Sequence, residues 1–448
     1  MNDQRVAAAL KDATDTQDVV IGPGTLGSVA DLFEKNFGDA TAVVVTDETM
    51  WEAAGDAVQK NLEAAGRNTI EPYLFPGTPT LYANYDNIQI LIEALRAHDA
   101  IPVAVGSGTL NDIVKRASHE VERPYMNVST AASMDGYTAF GASIEKDGQK
   151  QTLTCPAPRV VLGDVDLLVN APARMTASGY ADLLGKVTSG ADWLIADALG
   201  VEKIDQNGWD LVQDHLRGWI GTPAELKDGD LEAMDGLIEG LIMSGLAMQA
   251  YQSSRTASGA EHQFSHLWEG EGLGRKENPP LSHGFKVGVG SIAIAALYER
   301  VLERDLGSLD IEAIKREWPS AEEVEKTVRA AHEPPLEDPA VKQSLAKYID
   351  AGELGERLEL LREVWPELRE KLREQLIPAD ELRGMLKAAG CPTSPEEIGL
   401  GVEDFKATYR RAQMIRSRYT VLDLANETGI LDECVEELFA PGGFWASK

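Results

Sequence analysis

Three histidines lie close together in the second half of this chain, and their residue type predicts metal chemistry. His262 and His266 are four residues apart in ASGAEHQFSHLWE, and His283 follows in PPLSHGFKVGVGS. A spacing of four places two side chains on one face of a helix. Imidazole nitrogens bind Zn²⁺, Ni²⁺ or Fe²⁺, and one carboxylate would complete three protein ligands while leaving a position open for substrate. The alternative interpretation is an ordinary helix face.

The spacing leaves two questions about this metal site open. Either His262 or His266 could be the ligand from the helix, and the carboxylate must be found among 73 acidic residues. Asp182, in SGYADLLGK, is a candidate because small residues surround it at the start of a helical region.

A glycine-containing loop in the first half of the chain predicts phosphate binding. In IPVAVGSGTLNDIVKRAS, Gly106 and Gly108 follow an apolar strand and precede an amphipathic helix. Glycines let the backbone approach a phosphate, and a helix N-terminus offers free N–H groups and partial positive charge. The pyrophosphate of a dinucleotide suits this loop. It is neither the G-x-G-x-x-G motif nor a P-loop, so a purely structural turn is the alternative.

Two further strand ends carry polar or small residues. Asp47 ends the strand TAVVVTD and could accept hydrogen bonds from ribose hydroxyls, which would favour NAD over NADP. It could equally be the N-cap of the next helix. STAASMDGY follows another strand, and its small and hydroxylated residues would let a flat ring lie close. The alternative is a capped turn with Gly136 at positive φ.

The elements that must position these residues change in character along the chain. Short apolar runs at 18–22, 41–47, 100–106, 124–129 and 159–164 alternate with amphipathic segments, which predicts βαβ units and a parallel sheet. Segments 138–145 and 151–155 predict a hairpin around the turn Lys146 to Lys150. From Asn170 onward the periodicity is helical. We therefore expect an α/β dinucleotide-binding domain (1–168), an all-α metal- and substrate-binding domain (169–448), and a site in the interdomain cleft.

Composition and net charge argue against certain partners and predict where the protein is located. A formal net charge of −31 argues against nucleic-acid binding, and an anionic substrate would need a local positive centre. Three scattered cysteines suggest a reducing compartment, and the first residues lack the pattern of a signal peptide. No apolar run reaches ~18 residues, so we expect no membrane span and a cytoplasmic location.

Several motifs taken together resemble a known family. GSGTLNDI, STAASMDGY, GYADLLGKVTSGADW, SGAEHQFSH and LSHGFKVGVGS occur in the family order over about residues 18–300. They resemble the sn-glycerol-1-phosphate dehydrogenases of the longer bacterial type, within the superfamily of glycerol dehydrogenase, iron-type alcohol dehydrogenases and dehydroquinate synthase. The tail sequence IRSRYTVLDLANETGIL also resembles the bacterial members. Residues from about 300 to 400 match the family least clearly.

The resemblance implies roles for individual residues. It makes Asp182, His262 and His283 the metal ligands, and it places the catalytic candidate His266 in the substrate pocket without being a primary ligand. Asp135 becomes a substrate contact. The implied dinucleotide contacts are Gly106, Ser107, Gly108, Thr109, Leu110, Thr130, Ala131, Ala132 and Ser133, with Asp47 as the ribose candidate. The family often carries a serine four residues after the aspartate that stands here at position 135. Here the position is Ala139, beside Thr138, so one hydroxyl contact is missing or replaced.

The implied reaction interconverts dihydroxyacetone phosphate and sn-glycerol 1-phosphate with NAD(H) or NADP(H) and one divalent ion, Zn²⁺ or Ni²⁺. The resemblance also suggests a homodimer. Lys286, three residues after His283, is the candidate for binding the substrate phosphate, with Lys186 second; a surface lysine is the alternative for Lys286. Other possibilities are a glycerol or polyol dehydrogenase and a dehydroquinate-synthase-like lyase. STAASMDGY and an aspartate at 182 favour the dehydrogenase branch, because the synthase has a glutamate there.

Overall fold

The computed structural model describes residues 3–146 and 149–446. Its strands are β1 Asp18–Gly22, β2 Ala42–Asp47, β3 Tyr73–Phe75, β4 Ile101–Gly106, β5 Met126–Ser129, β6 Ala142–Lys146, β7 Gln149–Leu153 and β8 Val160–Asp164.

Helices connect the strands and make up the rest of the described chain. Up to residue 227 they are α1 Asp3–Ala9, α2 Val29–Phe37, α3 Glu48–Met50, a π-helical turn Trp51–Gly55, α4 Asp56–Ala64, α5 Tyr85–Arg96, α6 Gly108–Glu120, α7 Val165–Leu168, α8 Ala173–Leu184, α9 Lys186–Ala198, α10 Gln206–Asp210, α11 Gln213–Trp219 and α12 Pro223–Lys227. They continue with α13 Leu231–Tyr251, α14 Ala260–Gly270, α15 His283–Leu302, α16 Ile311–Glu317, α17 Ala321–Ala331, α18 Glu337–Lys347, α19 Ala351–Gln375, α20 Ala379–Ala388, α21 Val402–Met414, α22 Val421–Glu427 and α23 Leu431–Phe439.

Six strands form one parallel sheet in the order β1-β8-β5-β4-β2-β3. The strands predicted from the sequence are confirmed, and so is the hairpin, whose strands β6 and β7 pair antiparallel. Its predicted turn is too long, because Lys146 pairs with Gln149 and Glu145 pairs with Lys150. Of the predicted turn, Asp147 and Gly148 lie outside the described residues. The edge strand β3 was not predicted, because it has three residues and buries one of them, Phe75.

The sheet is buried on both faces, as its continuous apolar strands require. Successive side chains of a strand point to opposite faces. In β2, Val43 and Val45 pack in one cluster with Leu91 of α5. Val44, between them, packs in the other cluster with Phe33 of α2. The result is a three-layer α/β/α arrangement.

The strand order determines where a ligand can bind to this sheet. From β2 the chain moves to β3 at one edge, whereas from β4 it moves to β5 in the opposite direction. The loops at the carboxyl ends of β2 and β4 therefore leave the sheet on opposite sides of a crevice. Ligands of open α/β sheets bind at such a reversal. β2 ends at Asp47 and β4 ends at Gly106, two of the residues singled out from the sequence.

Contacts divide the chain into two compact units. The first comprises Met1–Leu183, Asn207–Thr256 and Ala388–Gly390, and the second comprises Leu184–Gln206, Ala257–Lys387 and Cys391–Lys448. The described chain after residue 169 contains helices and no strand, so the expected fold class is confirmed. The predicted domain boundary after residue 168 stays a prediction. Within the described residues no helix is both long enough and apolar enough to cross a membrane.

A buried carboxylate organises the second unit. Asp192 of α9 is fully buried, and one of its oxygens, Oδ2, accepts a hydrogen bond of 2.7 Å from the N–H of Ala260, the first residue of α14. Its Oδ1 accepts from the N–H of Val421, the first residue of α22 (2.8 Å), and from the hydroxyl of Tyr298 (2.6 Å). Negative charge at a helix N-terminus is favourable. Asp192 therefore stabilises the N-termini of both helices.

We expect Asp192→Asn to lower the free energy of unfolding by ~2 kcal/mol or more, because an amide nitrogen cannot accept a hydrogen bond and leaves a buried donor without a partner. Urea denaturation followed by helical circular dichroism measures this change. Asp197→Asn is the control on the same helix, because Asp197 is 36% exposed and accepts from one backbone N–H, that of Ile204. Equal effects of the two substitutions would contradict the role given to Asp192.

Candidate metal centre and nucleotide site

The three histidines identified in the sequence lie together in the structure. His262 and His266 lie one turn apart on α14, and His283 is the first residue of α15. The ring centroids of His262 and His283 are 5.3 Å apart, and His266 lies 5.9 Å from each. Ser282 caps α15 by accepting from the Phe285 N–H, so the chain direction at His283 is fixed locally.

Asp182 supplies a carboxylate to this histidine cluster. It is fully buried near the end of α8. One ligand atom from each of Asp182, His262 and His283 lies within 4.8 Å of the other two, and His266 is not in this group. Two imidazoles and one carboxylate are donors that suit Zn²⁺, Ni²⁺ or Fe²⁺. The residues present therefore fit a divalent ion.

Two glutamates orient the histidine rings, and the sequence interpretation did not include them. Oε1 of Glu261 lies 2.7 Å from Nδ1 of His262, and Oε1 of Glu269 lies 3.0 Å from Nδ1 of His283. Carboxylates accept hydrogen bonds, so each ring carries its hydrogen on Nδ1 and presents Nε2 as the ligand atom. The sequence did offer a signal for both: Glu261 directly precedes His262, and Glu269 follows His266 by three residues.

Glu261 is held by more than the histidine. Its Oε1 accepts from the Gly259 N–H (2.7 Å) and its Oε2 accepts from the Thr188 hydroxyl (2.8 Å). Burial acts to raise the pKa of Glu261, but the hydrogen bond from His262, the charge interaction with that ring and the backbone N–H groups lower it overall. Glu261 is therefore an ionised and fixed support for the His262 ring.

His266 has a different environment from the two histidines of the metal group. Its side chain is 29% exposed, and its Nδ1 lies 3.6 Å from Oε2 of Glu269, beyond hydrogen-bond distance. Withdrawal from water, and then the positive charge of Arg416, lower the pKa of His266 to about 3. At neutral pH the ring is uncharged, with one nitrogen able to donate and one able to accept.

Asp182 and Asp135 are linked through the backbone. The N–H of Asp135 donates to Oδ2 of Asp182 (3.0 Å), and the hydroxyl of Ser244 donates to Oδ2 of Asp135 (2.9 Å). Nearby, the buried ammonium of Lys115 donates to the carbonyls of Gly136 and Ala139, both at 2.8 Å. The predicted ligand and the predicted substrate contact are therefore positioned by one hydrogen-bonded segment.

The predicted dinucleotide contacts meet at the carboxyl ends of β2, β4 and β5. The Thr130 N–H donates to the carbonyl of Gly106 (3.1 Å), and its hydroxyl contacts the Met50 sulfur (3.4 Å). The Met50 N–H in turn donates to Oδ1 of Asp47 (2.9 Å). Asp47 is thus the N-cap of α3, as the alternative interpretation held, and its ribose contact stays a prediction.

The N-terminus of α6 has the character needed for an anion. Its N-cap, Ser107, makes no side-chain capping bond, and the first turn contains no acidic residue. Thr109 is half-buried, whereas Gly108 and Leu110 are buried in the first turn. A Cβ at Gly106 would lie 2.5 Å from the Leu110 side chain, so packing alone also requires this glycine.

The alternative interpretation of STAASMDGY, with a positive φ at Gly136, is wrong, because Gly136 is not among the glycines of positive φ. What restricts Gly136 is space: a Cβ there would lie 2.9 Å from the Met134 side chain. The hydroxyl of Thr138 donates to the Ile242 carbonyl (2.7 Å). Beside it, Ala139 is buried.

The segment Ala131, Ala132 and Ser133 packs directly on α8. A Cβ at Gly179 would lie 2.0 Å from the carbonyl oxygen of Ala132, so no other residue fits there without displacement. The hydroxyl of Ser178 donates to the Ser133 carbonyl (3.1 Å). The helix that carries Asp182 therefore also supports the predicted cofactor segment.

Lys286 is not a surface lysine, so that alternative is wrong. It is 5% exposed, its Nζ lies 3.7 Å from Oε1 of Glu269, and it donates to the Leu281 carbonyl (3.3 Å). Lys186, the second phosphate candidate, is fully buried at the start of α9. Of the two, Lys286 lies beside the histidine cluster, through the shared carboxylate of Glu269.

Comparison with known proteins gives consistent results. Residues 20–172 match the family model of iron-containing alcohol dehydrogenases. The chain is 31% identical over 418 residues to the glycerol-1-phosphate dehydrogenase [NAD(P)+] of Bacillus subtilis (strain 168), covering 93% of this chain and 92% of that one. It is 30% identical over 429 residues to the enzyme of the same name from Bacillus velezensis, covering 94% of each. The crystal structure of glycerol dehydrogenase from Schizosaccharomyces pombe has the same fold, with a TM-score of 0.59 at 17% identity over 97% of this chain and 93% of that one.

We expect Glu261→Gln to weaken divalent-metal binding ~10–100-fold, because the neutral amide no longer fixes the His262 ring. Competition for Zn²⁺ with a chromophoric chelator measures the affinity. Glu271→Gln is the control, since Glu271 follows α14 and pairs with Arg411 instead of a histidine. A wild-type metal affinity in Glu261→Gln would contradict the support assigned to this carboxylate.

Proposed function

The chain belongs to the glycerol-1-phosphate dehydrogenase family, and we propose that it reduces dihydroxyacetone phosphate reversibly to sn-glycerol 1-phosphate with NADH or NADPH. Similarity over more than nine-tenths of both chains is the observation that carries this proposal. The grouping of Asp182, His262 and His283 supports it, because the same residues are those that the sequence motifs implied.

The proposed chemistry divides between bound groups and side chains. When bound, a divalent ion on Asp182, His262 and His283 polarises the C2 carbonyl and stabilises charge on its oxygen, and the dinucleotide provides the hydride. Glu261 and Glu269 would hold the imidazoles with Nε2 as the ligand atom. Oδ2 of Asp182 is engaged by the Asp135 N–H, which fixes the rotation of that carboxylate.

The remaining polar groups of the site act on the substrate. We assign the Asp135 carboxylate, restrained by Ser244, to a substrate hydroxyl. His266 is uncharged and partly exposed, and it takes part in delivering the proton to the C2 oxygen, directly or through water. Lys286 contributes positive charge for the substrate phosphate in a chain whose formal net charge is −31.

For the dinucleotide, we propose that the N-terminus of α6, from Gly106 to Leu110, binds the pyrophosphate, and that residues 130–133 lie against the nicotinamide half. The second oxygen of Asp47 is the candidate for the ribose hydroxyls, which favours NAD over NADP. We further propose Zn²⁺ or Ni²⁺ as the ion, a homodimer as the assembly, and the cytoplasm as the location.

Metal removal tests the proposed reaction. We expect the protein reconstituted with Zn²⁺ or Ni²⁺ to oxidise NADH when dihydroxyacetone phosphate is added, and to form the sn-glycerol 1-phosphate enantiomer. Chelation should abolish this activity, and His262→Ala should lose the ion, as measured by elemental analysis. Full activity of metal-free protein would refute the metal assignment, and failure of the loaded enzyme to reduce this ketone would refute the proposed reaction.

Replacement of Lys286 tests the assignment of the phosphate. Lys286→Ala should raise the KM for dihydroxyacetone phosphate ~10-fold or more, because it removes a charged group from a site shielded from solvent. The KM for unphosphorylated dihydroxyacetone should change far less. An equal rise for both ketones would mean that Lys286 supports the fold or the shared carboxylate of Glu269 and does not bind the phosphate.

A further inference from the structure

The chain between α21 and α22 runs back along α14, the helix that carries His262 and His266. Near the C-terminal end of α14, Arg411 of α21 pairs with Glu271. At the other end, the guanidinium of Arg418 donates to the Ser258 carbonyl at 2.8 Å, just before α14 begins. Residues 411 and 418 are therefore fixed at opposite ends of α14, and the residues between them lie alongside its middle.

Residues 415–420, here called the return segment, are held firmly in this position. The side chain of Gln263 donates to the Arg418 carbonyl (3.1 Å) and accepts from the Thr420 hydroxyl (3.3 Å). The N–H of Ser417 donates to the Gln343 side chain (2.8 Å). The Met414 carbonyl accepts from the Ser344 hydroxyl (2.9 Å), so the backbone is held on both sides of residue 416 and the origin of the Arg416 side chain is fixed as well.

Arg416 brings a positive charge to the histidine cluster. The residue is exposed, and its charge contributes to the lowered pKa of His266. Desolvation of the guanidinium lowers the pKa of Arg416, and the Glu269 carboxylate acts in the opposite sense. Gln263, which binds the Arg418 carbonyl, lies one turn before His266 on α14, so Arg416, two residues before Arg418, lies on the side of α14 that carries His266.

Two cations, Lys286 and Arg416, approach the part of α14 that carries His266 and Glu269. Lys286 and Arg416 carry one positive charge each, while Glu269 carries one negative charge. The two cations differ in access: Lys286 is 5% exposed and donates to a carbonyl, whereas Arg416 is exposed. A guanidinium also presents a planar pair of donors that matches two phosphate oxygens.

Resting on the proposed function, we propose that Arg416 binds the phosphate group of the substrate, and that the return segment thereby sets the preference for phosphorylated over unphosphorylated ketones. Lys286 then supplies charge from the buried side, and Arg416 supplies the directional hydrogen bonds. The specificity for phosphate thus comes from a segment more than a hundred residues away in sequence from the metal ligands.

The test compares Arg416→Ala and Arg416→Lys with Arg410→Ala. Arg410 is the matched control, because it is an arginine of α21 whose Nε donates to Asp432 of α23 (2.8 Å). We expect Arg416→Ala to raise the KM for dihydroxyacetone phosphate ~10-fold or more, as for loss of a charge-assisted hydrogen bond, with kcat/KM for dihydroxyacetone within about twofold of wild type. Arg416→Lys keeps the positive charge but loses the planar pair of donors, so its KM for dihydroxyacetone phosphate should lie between those of wild type and Arg416→Ala. The KM of Arg410→Ala should equal that of wild type.

A binding measurement that needs no turnover separates this inference from the proposed reaction. Metal-loaded protein is titrated with inorganic phosphate in a calorimeter, and Arg416→Ala should bind it ~10-fold more weakly than wild type and Arg410→Ala. Unchanged phosphate affinity, or an equal KM rise for both ketones, overturns the role of Arg416. If wild type binds phosphate through Arg416 but reduces no phosphorylated ketone, the proposed reaction fails while the phosphate site stands.

Discussion

The second compact unit depends on the hydrogen bonds that the buried carboxylate of Asp192 accepts. This carboxylate binds the first N–H of α14 and the first N–H of α22, so two helix N-termini share one negative charge. His262 lies two residues beyond the first of these contacts, and the return segment ends at the second. Asp192 therefore helps to position both the metal-ligand helix α14 and the start of α22, which directly follows the return segment.

Other carboxylates of the site position basic side chains, namely two histidine rings and a lysine. Glu261 and Glu269 each contact a histidine Nδ1, which leaves Nε2 as the nitrogen that would bind an ion. Glu269 also lies 3.7 Å from the ammonium of Lys286. In a protein with 73 acidic and 42 basic side chains, this arrangement concentrates positive charge locally without changing the strongly acidic surface elsewhere.

The sequence predicted the sheet strands well because each is a short apolar run bounded by turn residues, and it predicted the histidine cluster because histidine is rare in this chain. It could not rank His262 against His266, since a helix face carries both equally. It also could not find Glu261, Glu269 or Arg416. Their roles depend on which residues α14 meets in space, and acidic and basic residues are too common for spacing to single them out. The strand order, and hence the crevice between β2 and β4, likewise follows from long-range pairing.

Because Gly179 has no side chain, the coenzyme preference and the geometry of the metal site of this protein depend on the same contact. A carbonyl oxygen of the predicted cofactor segment occupies the place where a Cβ would stand, three residues before Asp182 on the same helix. Substitutions at residues 131–133 that change coenzyme preference by shifting this segment would also displace α8, because protein interiors are close-packed. Coenzyme engineering in this scaffold is therefore also metal-site engineering, and substitutions that keep the backbone of Ala132 in place are the ones that leave the ion's carboxylate undisturbed.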